Sequence, residues 1–171
     1  MTLNTQAFKA EAAYSAAMDK DATPAETAAV QSLFDEIDLP LEVTATYTGK
    51  MFGEALTVAV LWLTGRGVAK AYFAAAEEFG KAVGSKVGEY AGDGVVEWLR
   101  SLRQVRPTAD ELPVIIHDPE LGIEIRLTGN ETPEAIARLV DRIEGKKLHE
   151  LPGVINEVRY DPDSDGWVRP M

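Results

Sequence analysis

The chain has 171 residues, 46% hydrophobic and 26% charged, enough to bury an ordinary core without covalent staples. It has no cysteine, which excludes disulfides, thiolate nucleophiles and cysteine-ligated zinc and fits a reducing cytoplasm. Lys and Arg number 17 against 28 Asp and Glu, a net charge of −11 that repels nucleic acid and suits a basic protein partner.

Residues 1–37 read as an N-terminal helical segment or arm, set apart from an α+β domain over 38–171. Lys9, Glu11 and Asp19 interrupt the first residues, so no secretory signal is expected there. In "TPAETAAVQSLFDEI", Thr23 is placed to cap a helix, with Pro24 at its first position and Glu26 at its third. Val30, Leu33, Phe34 and Ile37 give that helix one apolar side. "LPLEVTATYTG" then alternates, with Val43, Ala45 and Tyr47 expected on one face of a strand and Glu42, Thr44, Thr46 and Thr48 on the other.

The long middle, 50–104, has breaks at Gly65–Gly67 and Gly92–Gly94. These predict helices over 51–64, 67–91 and 94–104, with Asp93 as the cap of the third. "TVAVLWL" leaves a buried strand open as the alternative for the first. The apolar run Ala55–Leu63 is closed by Arg66 and Lys70, far short of the roughly 20 residues that span a bilayer, so stable membrane insertion is not expected. Glycines at 80, 84, 88 and 92 form a smooth shoulder beside the apolar stripe of the second helix. Each interior glycine costs about 0.5–1 kcal/mol against alanine, so a tightly abutting neighbour is expected on Gly80, Gly84, Gly88 and Gly92. That neighbour is a helix of the same chain, a second copy or a partner.

Further on, Val114–Ile116 and Ile123–Leu127 read as a β-hairpin with "HDPELG" as its turn. "TPEAIARLVDRIEG" is a helix capped by Thr132 and stopped by Gly145. The tail closes as a strand or second hairpin, with Tyr160 and Trp167 facing across "DPDSDG". The expected fold is α+β: an antiparallel or mixed sheet of about four strands, split β-α-β-like, packed on a glycine-rich helical hairpin with helices before it.

Few residues suggest chemistry. Asp161, Asp163 and Asp165 have the D-x-D-x-D-G spacing of a calcium loop, but the chain given stops one residue before the position of the bidentate glutamate. His117, with Asp118 and Glu120 nearby, and His149 read as turn residues rather than acid-base groups. "GRGVAK" and "GDGVVE" place Lys70 and Glu97 where a dinucleotide fingerprint needs its third glycine. No enzyme and no cofactor are expected.

From Leu41 to Gly145 the order resembles the effector-associated constant-component adaptor domains of bacterial conflict systems. The likeness lies in a Gly/Ala-rich helical hairpin ending in "WLRSLR" (Trp98–Arg103), the pair "PVIIHDPELGIEIRL" and the helix "TPEAIARLVDRI". The first 37 residues and the tail depart from that pattern, and no catalytic residue transfers. The resemblance implies an adaptor that joins an effector in defence. Together with the acidity it leads to a soluble, cytoplasmic, non-enzymatic interaction module: an adaptor, or an immunity-type inhibitor of a basic toxin, binding a partner or itself. The alternative is a small ligand- or calcium-binding α+β module.

Overall fold

A computed structural model describes residues 14–48, 59–82, 92–107, 112–151, 153 and 156–170. Seven strands make one mixed sheet: β1 (Tyr14–Asp19), β2 (Leu41–Tyr47), β3 (Leu61–Gly65), β4 (Val114–Asp118), β5 (Ile123–Leu127), β6 (Glu157–Asp161) and β7 (Gly166–Val168). Their order across the sheet is β2-β1-β3-β4-β5-β6-β7. The pairs β1/β2, β3/β4 and β5/β6 are parallel; β1/β3, β4/β5 and β6/β7 are antiparallel. Helices cross over each parallel pair: α1 (Pro24–Glu36), then α2 (Val68–Ala82) with α3 (Asp93–Val105), then α4 (Pro133–Glu144).

The α+β class and the mixed sheet agree with the sequence reading, but the sheet has seven strands where about four were expected. Two of the added strands lie in stretches read as helix. Tyr14–Asp19 is hydrogen-bonded between β2 and β3, so this part of the expected N-terminal helical segment is a central strand. Leu61–Gly65 is β3, not the end of a helix over 51–64; residues 51–58 lie outside the described residues. Central pairing on both sides overrides the helical propensity of "YSAAMD".

The four helices among the described residues pack on one face of the sheet and share one core with it. Ile123, Ile125 and Leu127 of β5 are buried against the helices while Glu124 and Arg126 alternate to the other face. Trp98 of α3 is fully buried at the centre. Its ring lies 4.9 Å from Phe34 and edge-on to Tyr72 at 5.4 Å, and its indole N–H donates to the Leu33 carbonyl at 3.2 Å.

The expected caps are present on α1 and α4. Thr23 and Glu26 form a reciprocal capping box, and the Thr132 hydroxyl accepts from the Ala135 N–H. Asp93 is not a cap: Gly92 occupies that position and no side chain caps α3. Gly145 ends α4 with φ −80°, and the left-handed residue is the next one, Lys146 (φ 55°).

Of the glycine row only Gly92, at the start of α3, lies among the residues whose surroundings are described; a Cβ there would stand 2.1 Å from the Pro133 carbonyl oxygen at the start of α4. Gly84 and Gly88 lie outside the described residues, as does the side-chain face at Gly80. A second close approach, unforeseen, is at Gly94, packed on the Glu77 backbone of α2. Both neighbours belong to the same chain. No helix among the described residues is long and apolar enough to cross a membrane.

Candidate functional site

Because the helices share one face, the opposite face of the sheet carries no helix among the described residues. Leu61 and Leu63 point into the core, so Trp62 between them points out. It stacks with Tyr47 on one side (5.6 Å, 20° between planes) and His117 on the other (5.4 Å, 17°). The result is an aromatic row that runs from β2 over β1 to β3 and β4.

A register shift builds this row. Ala17 pairs with Thr44, but Asp19 pairs with Tyr47, so β2 holds one residue more than β1 between those pairs. The extra residue reverses the alternation and moves Tyr47 from the face of Val43 to the face of Trp62. Strict alternation had grouped Tyr47 with Val43. His117, expected in a turn, is the fourth residue of β4, because that strand runs two residues beyond Ile116.

Beside the aromatic row runs a ladder of charge. His117 Nδ1 stands 3.5 Å from Glu124. Arg126 Nε lies 3.5 Å from Glu157, and Arg159 holds the same Glu157 oxygen with bonds of 3.0 and 2.6 Å. Ile115, only 2% exposed, stands in register between Trp62 and Arg126. Partial burial pushes the Tyr47 hydroxyl above its ordinary range, against the opposing pull of Arg126. Aromatic rings flanked by guanidinium and carboxylate groups are the composition of binding hot spots between proteins.

A cleft of about 580 Å³ opens at the ends of β3 and β4, beside the α2 N-terminus. Asp118, 1% exposed, lies in its wall. Its carboxylate accepts from the N–H groups of Gly67 (3.3 Å), Ala69 (3.2 Å) and Glu120 (3.0 Å). Asp118 thus caps α2 from another strand and holds the Gly65–Gly67 turn, where both glycines have positive φ as their spacing implied. Ile143 and Leu148 give the cleft an apolar floor; Lys70, Glu120, Lys146 and His149 stand at its exposed rim. His149 is in a short 3₁₀ turn, away from His117.

The "DPDSDG" segment is the β6–β7 hairpin turn, with Tyr160 and Trp167 paired across it at 5.7 Å as expected. The three aspartates are engaged in different ways. Asp161 accepts from the Asp163 N–H and the Ser164 hydroxyl. Asp165 accepts from the Tyr160 hydroxyl (2.6 Å) and pairs with Arg138, and these contacts hold its carboxyl below the ordinary range. Among the described residues no group of three His, Asp or Glu side chains is arranged to hold a metal ion.

Sequence reading did not single out Trp62, Tyr47 or Arg126 as surface residues. Arg126 was legible in the alternation of "IEIRL", and Trp62 in the strand alternative for "TVAVLWL". Comparisons of the chain with models of protein families, with curated proteins and with solved structures return no match.

Proposed function

We propose that the protein is a non-enzymatic interaction module, an adaptor or immunity-type inhibitor of a bacterial conflict system, working in the cytoplasm. Its contact surface is the face of the sheet that carries no helix among the described residues, and its partner is a protein with basic groups. The observation that carries this reading is the placement of Trp62, half-buried at the middle of that face between Tyr47 and His117. Trp, Tyr and Arg dominate the energetics of protein interfaces, and this face gathers all three. The net charge of −11 supports a basic partner by steering its approach.

The test is affinity capture from cells that make the protein, with the unaltered chain and with Trp62→Ser side by side. The proposal expects a stoichiometric partner held by the unaltered chain and lost from the variant, which should melt within a few degrees of it. Equal capture by both chains, or none by either, would count against the face.

A second reading, a small-ligand module, is favoured by the cleft beside Asp118, whose volume falls in the usual range for ligand pockets. Lys70 and Glu120 at one rim suit a zwitterionic ligand. A melting screen against free amino acids tests it: a shift should appear and be removed by both Lys70→Ala and Glu120→Gln, and no shift from any of them refutes it.

A further inference from the structure

Among the described residues β2 is the outermost strand of the sheet, and its outer edge is met by a side chain rather than by another strand. The Gln31 carboxamide of α1 donates to the Leu41 carbonyl (3.1 Å) and accepts from the Val43 N–H (3.0 Å). Those are the two bonds that the N–H and C=O of one residue of a parallel neighbouring strand would make there. The N–H and C=O of one strand residue point the same way, so the Val43 carbonyl faces outward as well. Next to this edge runs a groove of about 490 Å³ between α1 and β2, lined by small side chains such as Ala22, Thr27, Ala28 and Ala45.

The charge here is one-sided. Residues 14–48, which form β1, α1 and β2, hold seven carboxylates against the single base Lys20, a net −6 of the chain's −11. Glu36, Asp38 and Glu42 are exposed, and Glu42 lines the groove. Only Glu26 among the seven is neutralised by an arginine in the described residues, pairing with Arg106 at 2.7 Å.

We infer that the outer edge of β2 docks an extended, lysine- or arginine-bearing segment of another protein. That segment adds as a strand and takes over the two backbone bonds that the Gln31 carboxamide makes. Backbone pairing gives such a complex its register, the carboxylates select basic side chains, and the small residues of the groove leave room for them. The site is separate from the Trp62 face and shares with that proposal only the class of partner.

The experiment is an NMR titration of the full chain with a synthetic strand-forming peptide in which Lys alternates with Val and Thr. Two matched peptides carry Glu for Lys, or Pro at alternate positions. The lysine peptide should shift the Gln31 side-chain amide and the Val43 backbone amide. The glutamate peptide should not bind, and the proline peptide, which cannot complete the ladder, should bind about tenfold more weakly or worse. Glu42→Lys, at an exposed position, should weaken the lysine peptide severalfold, and Gln31→Ala should tighten it by removing the competing amide. Trp62→Ser should change nothing, which separates this site from the sheet face. An unmoved Gln31 and Val43, or equal binding of the proline and lysine peptides, would overturn strand addition; the second result would mean simple adsorption to an acidic surface.

Discussion

Gly94 of α3 lies against the Glu77 carbonyl of α2: a Cβ at position 94 would stand 2.2 Å from that oxygen. The contact is backbone on backbone, so no side chain can swing away to make room. In an exposed helix Gly→Ala adds about 1 kcal/mol of stability. Here Gly94→Ala should instead destabilise by about 2–3 kcal/mol, because the two helices must separate. Urea unfolding measures it, and a stabilised variant would mean that α2 and α3 do not touch here.

Tyr72 is wholly buried beside Trp98, and its hydroxyl has no hydrogen-bond partner among the described residues. Burial, with a smaller contribution from Glu131, pushes that hydroxyl well above its ordinary range, so it stays un-ionised. An unpaired buried hydroxyl costs roughly 1–3 kcal/mol. Tyr72→Phe should therefore unfold at an equal or higher urea concentration than the unaltered chain. A loss of stability would show that the hydroxyl is bonded.

Asp118→Ala orphans three backbone N–H groups at once, at Gly67, Ala69 and Glu120. The expected loss is about 3 kcal/mol, with Asp118→Asn milder because one acceptor oxygen remains. Amide exchange should accelerate first at the start of α2. If protection is lost evenly over the whole sheet instead, the local capping role is refuted.

Glu26 closes the α1 capping box and also meets Arg106 at the end of α3. Donation from the Thr23 backbone, more than Arg106 and against the opposing effect of burial, holds its carboxyl below the ordinary 4.5. A lowered folded value means that the ionised form stabilises the fold. That contribution is complete above about pH 5 and fades as acid is added through the folded value. Melting temperatures of the unaltered chain and Glu26→Gln should therefore differ most near neutrality and converge in acid. A gap that widens in acid would reverse the sign of this argument.

Helix ends and hairpins were legible because their signals are local. Thr23 with Glu26, Thr132 with Pro133, and "DPDSDG" between Tyr160 and Trp167 each bring their own hydrogen bonds within a few residues. The central strands were not, because their stability comes from neighbours distant in sequence. Ala16 and Ala17 favour helix by themselves and become strand only between β2 and β3. The aromatic row was hidden twice over: Trp62 lay in a stretch that reads equally as helix, and the extra residue before Tyr47 leaves no mark in the composition of β2. Gly84, Gly88 and the side-chain face at Gly80 lie outside the described residues, while the close contacts at Gly92 and Gly94 are set by where α4 and α2 meet α3.

The proposal that the face bearing Trp62 meets a partner is tested most directly by photo-crosslinking in the cells that make the protein. A photoreactive residue is placed at Thr64, on that face of β3, and separately at Asp141, on the exposed side of α4. The account predicts a single protein adduct from position 64 that Trp62→Ser abolishes, and none from position 141. Adducts from position 141 alone would contradict it.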